Sequence, residues 1–433
     1  MGEKRVIKAA LLGAGTVGSG TYRLLQLREN EMTDRVGAAV EITRVLVRDT
    51  SRKREGFPQE IFTSDWRSIV EDAEISIIIE LMGGIEPART YITEALEHGK
   101  NVVTANKDLM AAHGFELMDL ADAHHCDLLF EAAVAGGIPI IRPLRECLEG
   151  NDITEVMGIV NGTTNYILTK MTQKGMDYSA ALKKAQDLGF AEADPTADVE
   201  GLDAGRKVAI LASLAFHARV TFDDVDIKGI SSITADDIRF AKQLGYVLKL
   251  IGIARKTNGS IEAGVAPMMI PEDHPLAAVN GSFNAIFLHG DAVDDAMFQG
   301  RGAGALPTAS AVVGDIIAIS RNMLAGCCGR ISNRCTKQLP IQQHGDAEHK
   351  FFLRMLVEDK PGILAQLASV LGGCNVGISQ VIQTNEMEDD NMAELVIITH
   401  RVQTRQLEGA LMAFSAMPAI RKIASVIRVY SKS

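Results

Sequence analysis

Leu11-Leu12-Gly13-Ala14-Gly15-Thr16-Val17-Gly18 is the stretch on which the reading of the fold turns. It follows an aliphatic run, residues 6–12, and opens an amphipathic pattern through Tyr22, Leu24 and Leu25. A strand that ends in G-x-G-x-x-G and passes straight into a helix is the setting of a dinucleotide loop. There Gly13 permits the tight turn, Gly15 lets backbone approach a pyrophosphate, and Gly18 allows close packing of the helix, whose first N–H groups supply donors and positive potential. Ala14, Thr16 and Val17 complete the loop and fall beside the same nucleotide. Glycine spacing alone also fits an ordinary turn, and the strand before and helix after it decide between the two.

Further aliphatic runs at residues 40–47, 75–81, 101–104 and 128–130 alternate with helical patterns, which predicts an α/β, Rossmann-type doubly wound parallel sheet over residues 1–130. From residue 131 to 329 the rhythm changes. Helical blocks at 166–175, 179–188, 202–218 and 235–244 alternate with strand candidates such as 247–254, an α+β pattern. Residues 330–349 are polar and aperiodic, as in a linker. The last stretch, 350–433, reads strand (351–357), helix (363–371), strand (376–382), strand (393–399), helix (405–417), strand (423–429), a βαββαβ order.

At 433 residues the chain has room for about three folded units at roughly 150 residues each. Apolar residues make up 47% and charged residues 23%, which excludes disordered and fibrous classes. The longest apolar stretches, 132–141 and 208–216, fall short of the roughly 20 residues a membrane span needs. Met1-Gly-Glu-Lys-Arg runs into the first strand with no secretory cleavage site, and Val6 does not suit myristoylation, so a cytoplasmic location is expected. Net charge is −11, from 44 Lys and Arg against 55 Asp and Glu, which offers nothing to nucleic acid and points to small molecules or other subunits as partners. Cys126, Cys147, Cys327, Cys328, Cys335 and Cys374 form no C-x-x-C pair. Neither a disulfide framework nor a zinc site is expected, and the cysteines read as reduced and mostly core-filling.

The second strand ends in Arg48-Asp49, with Arg52, Lys53 and Arg54 behind it. Arginine there accommodates the 2′-phosphate of NADP, whereas an acidic residue holds the ribose 2′-hydroxyl of NAD. The basic cluster favours NADP and Asp49 keeps NAD open. Thr104-Ala-Asn-Lys107 lies at the carboxyl end of a strand, where open parallel sheets place ligands, so Lys107 can meet a cofactor or a substrate oxygen, or can be a surface lysine. Five carboxylates, Glu192, Asp194, Asp198, Glu200 and Asp203, crowd a loop that enters a helix. Asp203 and Lys207 lie four apart and share one face, which continues through Ile210, Leu211 and Leu214. A surface ion pair is the plain reading, but the apolar continuation argues that the pair is partly buried and has a task. Asn161-Gly-Thr163-Thr-Asn165 can cap the next helix or donate to a polar ligand. Glu131-Ala-Ala-Val134-Ala-Gly136-Gly-Ile138-Pro139 is a bend whose backbone carbonyls could bind a hard monovalent cation, although spacing alone does not demand one.

These same segments, with Gly300-Arg-Gly-Ala-Gly304-Ala-Leu-Pro-Thr308, closely resemble homoserine dehydrogenase in its monofunctional bacterial form with a C-terminal ACT domain. The resemblance covers nearly the whole chain. It implies NAD(P)-linked interconversion of L-homoserine and L-aspartate 4-semialdehyde in the route to threonine, methionine and isoleucine, by a homo-oligomer, dimeric through the middle domain or tetrameric. Residues 131–329 would be the substrate-binding and dimerisation domain, and the segment at about 300–329, with Gly304 facing the nucleotide, would close the dinucleotide domain. Glu192 and Asp203 are similar to the residues that hold the substrate amino group and hydroxyl, with Thr163 beside them. Lys207 and Lys107 match the proton-transfer pair. Thr104 would lie against the nicotinamide nucleotide. A sodium ion would map to Glu131, Val134, Gly136 and Ile138, mostly through backbone oxygens. The family more often has alanine where this chain has Gly205, a change worth about 1 kcal/mol of helix propensity. Val357-Glu-Asp-Lys-Pro-Gly-Ile-Leu364 resembles the first turn of an ACT domain, which implies feedback inhibition by L-threonine near Asp359, Gly362 and Ile363, or else a purely structural module.

Two other readings share parts of this pattern. A semialdehyde dehydrogenase would need a cysteine nucleophile with an adjacent base, and no cysteine here has an obvious histidine partner. A non-catalytic sensor of NADP and an amino acid would need only the first and last units, and Glu192, Asp203 and Lys207 argue against it.

Overall fold

The computed structural model describes residues 5–257, 259–330, 335–384 and 391–432. Within them the chain forms β1 (Val6–Leu12), β2 (Ala39–Leu46), β3 (Phe62–Thr63), β4 (Ile75–Glu80), β5 (Asn101–Thr104) and β6 (Leu128–Leu129). These strands make one parallel sheet in the order β3-β2-β1-β4-β5-β6. Ala9 to Leu12 and Ile77 to Ile79 are fully buried, because a sheet covered on both faces needs consecutive apolar residues rather than alternate ones. The doubly wound sheet read from the sequence is therefore present. Only β3 was not read, being two residues long and too short to show a period. Strand order reverses between β1 and β4, where the Leu81 N–H donates to the Leu12 carbonyl at 2.9 Å, and ligands of open α/β sheets bind at such a reversal.

The three units read along the sequence are grouped by the fold into two compact ones. The first runs to Val156 and takes back Arg206–Asp224 and Phe283–Leu339. Its last piece is an antiparallel hairpin, Phe283–Gly290 with Asp294–Arg301, followed by the helix Ala305–Ala325. Val312, Val313, Ile316 and Ile319 of that helix share a core with Leu11, Tyr22 and Leu25. Gly300, Gly302, Gly304 and Pro307 punctuate the stretch and hide both elements from a periodicity argument.

The second unit holds Met157–Gly205, Val225–Ser282 and the chain from Pro340 onward. Strands Glu348–Glu358, Ile378–Thr384, Met392–Thr399 and Ile420–Val429, with helices Ile363–Gly373 and Thr404–Ser415, reproduce the βαββαβ order. The tail is not set apart, because Ile420–Val429 also pairs with Ser260–Pro271 at Met268 and Met269, and Ser260–Pro271 pairs along its whole length with Tyr246–Thr257. The stretch read as a linker is likewise tied down where it is described: the Lys337 N–H donates to the His217 carbonyl and the Gln342 N–H to that of Ile261. Residues 331–334 of that stretch lie outside the described residues. No helix among the described residues is long and apolar enough to cross a membrane.

Lys249 is buried inside the second unit, where its Nζ donates to the Val279 carbonyl at 2.6 Å and to the Asn165 and Asn280 side-chain oxygens at 3.2 Å. Burial pushes its pKa down from 10.5 to about 8. Between those values the unfolded chain holds a proton that the folded chain does not, so this group makes the fold gain stability as pH rises from about 8 to 10.5, by about 3 kcal/mol in all. Urea unfolding at several pH values is expected to show that alkaline gain in the wild type and to lack it in Lys249→Met.

Candidate functional site

The glycine loop takes the shape its spacing called for. Gly13 has φ +98° and a Cβ there would stand 2.9 Å from the Leu81 carbonyl oxygen, while a Cβ on Gly18 would overlap the Gly13 carbonyl. Gly15 faces open space and is the N-cap of helix Thr16–Leu27, which carries no acidic residue in its first turn. That leaves the helix N-terminus available to an anion. Gly13, Ala14, Gly15 and Thr16 line an open cleft of about 1590 Å³ together with Arg48, Asp49, Arg52, Lys53, Met82, Gly83, Ala305 and Leu306. Val17, Gly18, Thr104, Lys107 and Gly304 are not on its wall.

At the end of β2, Asp49 is turned inward to its own loop. One carboxylate oxygen accepts from the Ser51 hydroxyl at 2.6 Å and the Ser51 N–H at 2.9 Å, and these bonds hold its pKa below the ordinary aspartate value. Arg54 donates to the Asp49 and Arg52 carbonyls and lies over the Phe62 ring. Arg48, Arg52 and Lys53 are exposed, and their side chains bond no protein group among the described residues.

The far side of this cleft rests on a residue the sequence reading missed. Glu80, fully buried at the end of β4, accepts from the Met82 N–H at 2.8 Å, the Gly83 N–H at 3.2 Å and the Thr104 hydroxyl at 2.6 Å. Thr104 is thus buried and committed to Glu80, and its oxygen accepts from the Asn106 N–H. Asn106 caps the helix Lys107–Ala123, which places Lys107 at the first helical position.

In the second unit, Asn161 caps a helix, as its motif allowed, and also binds two carboxylates. Its side-chain oxygen caps helix Gly162–Lys174 through the Thr164 N–H at 2.9 Å, and its amide nitrogen donates to Asp198 at 2.7 Å and Asp203 at 2.9 Å. Two of the five crowded carboxylates are thereby drawn to one amide, a focus of negative charge that suits an ammonium group. Glu192 is exposed, and the Thr163 hydroxyl donates to the Phe190 carbonyl at 2.6 Å. Helix Leu202–Phe216 runs unbroken through Gly205, so Asp203 and Lys207 keep their i,i+4 register, and both are buried.

Two family models match the chain: "Homoserine dehydrogenase" over residues 139–317 and "Homoserine dehydrogenase, NAD binding domain" over residues 13–131. The homoserine dehydrogenase of Bacillus subtilis is 44% identical over 426 residues, 98% of each chain. That of Corynebacterium glutamicum is 46% identical over 434 residues, 99% of this chain and 96% of the other. The chain belongs to the homoserine dehydrogenase family. Among solved structures, the Thiobacillus denitrificans homoserine dehydrogenase matches with a TM-score of 0.92 at 38% identity, over 99% of both chains. A hyperthermophilic archaeal homoserine dehydrogenase in complex with NADPH matches with a TM-score of 0.62 at 27% identity, over 73% of this chain and 98% of that one. As a member of this family the chain is an oxidoreductase with a nicotinamide-nucleotide domain.

Against that family the remaining residues can be placed. Glu131 is buried and its carboxylate accepts from the N–H groups of Ile140, Ile141 and Arg142 at 2.6 to 2.8 Å. Val134, Gly136 and Ile138 are buried, and their carbonyls accept no hydrogen bond from another described residue. Buried orphan carbonyls fit a hard cation, whereas the Glu131 side chain is already occupied. Asp359 accepts from Gln383 and Gly362 caps helix Ile363–Gly373 with φ +89°, so Asp359, Gly362 and Ile363 lie at one strand-to-helix junction. The cysteines depart from the expectation of core filler: Cys126 alone is buried, Cys147 is exposed and the other four are intermediate. Burial holds the thiols of Cys126 and Cys335 up at about 11 and that of Cys328 at about 12, the opposite of an activated nucleophile.

Asn161→Ala is expected to lose about 1 kcal/mol of stability with the cap. It is also expected to raise the KM for homoserine about tenfold, as the two aspartates repel without their shared donor, while the KM for the nicotinamide nucleotide stays put. Thermal melts and steady-state kinetics with each substrate varied check both parts.

Proposed function

We propose that the chain reversibly reduces L-aspartate 4-semialdehyde to L-homoserine with NADP as the preferred cofactor and NAD as the alternative, on the way to threonine, methionine and isoleucine. The observation that carries this reading is the pair Asp198 and Asp203 held on Asn161, with Lys207 one helical turn beyond Asp203, in a chain that also bears the three-glycine loop. Asp203 and Glu192 hold the amino group and hydroxyl of homoserine, and Asp198 adds its charge at the ammonium end. Thr163 supports this region through the Phe190 turn.

The nicotinamide, when bound, supplies or accepts the hydride. In reduction Lys207 gives a proton to the developing alkoxide, and in oxidation it takes the hydroxyl proton back, with Lys107 as its partner in proton transfer. Burial strengthens this electrostatic stabilisation, since water does not screen the ammonium. The exposed, unpaired Arg48, Arg52 and Lys53 suit a 2′-phosphate, and Asp49, spent on Ser51, is poorly placed to hold a 2′-hydroxyl. A sodium ion would be held by the carbonyls of Val134, Gly136 and Ile138 and by Glu131 through its backbone, steadying that bend. The βαββαβ tail acts as an ACT domain that takes L-threonine near Asp359, Gly362 and Ile363, and the protein works in the cytoplasm as a homo-oligomer.

Oxidation of L-homoserine by the purified protein, followed by reduced-nicotinamide absorbance with NADP and NAD separately, tests the reaction. Turnover is expected with both, faster with NADP, and Lys207→Ala is expected to lower kcat by about 10² to 10⁴. Absence of turnover despite NADPH binding would favour a sensor instead. Arg48→Ala is expected to raise the KM for NADP about tenfold or more and leave that for NAD unchanged. Millimolar L-threonine is expected to inhibit the wild type and to inhibit Asp359→Ala less; an undiminished rate in the oligomeric wild type would leave the tail a structural module.

A further inference from the structure

Glu80 stands out among the groups that the reaction does not use. It occupies the last position of a strand whose neighbours Ile75, Ile77, Ile78 and Ile79 are buried aliphatics, and it is as buried as they are. A buried carboxylate is costly unless its lone pairs are satisfied, and here three donors satisfy them. The donors come from two different turns. Met82 and Gly83 belong to the turn after β4 and lie on the cleft wall, whereas Thr104 ends β5 and leads to Lys107. The circuit closes a second time, because the Asn106 side-chain amide donates to the Gly84 carbonyl at 2.6 Å while its oxygen caps the Lys107–Ala123 helix. Each turn is therefore fixed with respect to the other through Glu80 on one side and Asn106 on the other.

We propose that Glu80 is a positioning residue for the redox reaction: by clamping the turns after β4 and β5 it fixes the Met82–Gly83 wall of the nucleotide cleft and the place of Lys107. The proposal rests on the reading of that cleft as the nicotinamide-nucleotide site. An aliphatic residue at position 80 would pack as its neighbours do but would leave two backbone N–H groups and a hydroxyl proton without acceptors. Glutamine keeps the shape and supplies only one acceptor oxygen, so either the Thr104 proton or the pair of N–H groups loses its partner.

Glu80→Gln and Thr104→Val break the same circuit from opposite sides. Both are expected to raise the KM for the nicotinamide nucleotide and lower kcat, each about tenfold, while the KM for homoserine stays at the wild-type value. Thr104→Ser, which restores the hydroxyl, is expected to recover most of what Thr104→Val loses. The double variant Glu80→Gln, Thr104→Val is expected to be no worse than the poorer single one, because the two share one hydrogen bond. A well-folded Glu80→Gln enzyme with wild-type cofactor KM and kcat would overturn the proposal, as would losses that multiply in the double variant. If Glu80→Gln does not fold, the contrast between Thr104→Val and Thr104→Ser decides the matter. NADPH binding by fluorescence titration needs no turnover, so weaker binding in the variants stands or falls separately from the reaction itself.

Discussion

Two backbone turns that cannot move apart govern the nucleotide-binding unit. The Leu81 N–H donates to the Leu12 carbonyl, the Gly13 N–H donates to the Leu46 carbonyl, and Gly13 leaves no room for a side chain against the Leu81 carbonyl. The ends of β1, β2 and β4 are thereby drawn to one point. A cleft exists there because the strand order reverses and no crossover helix covers the gap. What lines it then follows from what each turn carries: N–H groups of a helix start after β1, cations after β2, and the Glu80-clamped turn after β4. The polarity of the cleft, with Arg48, Arg52 and Lys53 at the β2 end and no cation at the Met82–Gly83 wall, matches an elongated molecule that is anionic over only part of its length.

The same device recurs at three places in the chain. A buried polar side chain with more acceptors or donors than one partner needs sits at the end of a strand or the start of a helix and ties together segments distant in sequence. Glu80 joins positions 82, 83 and 104; Asn161 joins 164, 198 and 203; Glu131 gathers the N–H groups of 140 to 142. Hydrophobic burial holds the sheets together without direction, but it does not choose between neighbouring arrangements of a loop. A fully satisfied polar hub does, since any shift of the loop strands a buried donor or acceptor.

This division explains how much could be read from the amino-acid order. The parallel sheet, the dinucleotide loop and the βαββαβ tail were legible because their signals are local, in runs of buried aliphatics and glycines at fixed spacing. Asp203 and Lys207 were legible as a pair because a helix turns spacing into proximity. Glu80 was not, for its sequence context Ile-Ile-Ile-Glu-Leu shows only that a strand ends, and its partner at 104 is found by strand order alone. Asn161 was read as a cap or a ligand donor, and it serves both as a cap and as the tie between Asp198 and Asp203, a contact across 37 and 42 residues that no window reveals. The hairpin Phe283–Gly290 with Asp294–Arg301 and the helix behind it were lost among glycines whose role is close approach rather than termination.

The tail shows why counting units along a chain differs from counting them in space. Arg354, on strand Glu348–Glu358, is buried with its guanidinium on Asp237 at 2.9 Å, Glu394 at 2.6 Å and the Thr234 hydroxyl at 2.9 Å. Asp237 is itself fully buried in helix Ala235–Gln243, where its other oxygen completes a capping box with Thr234. A buried ion pair adds little net stability over apolar packing, but removing one partner leaves an uncompensated charge that costs about 3 to 5 kcal/mol. The tail therefore neutralises an aspartate of the unit it packs into, and Arg354 bonds both members of the capping box of helix Ala235–Gln243. A change in the tail that moved Arg354 would be felt at that helix through Asp237, which is the physical link any regulation from the tail has to use or circumvent.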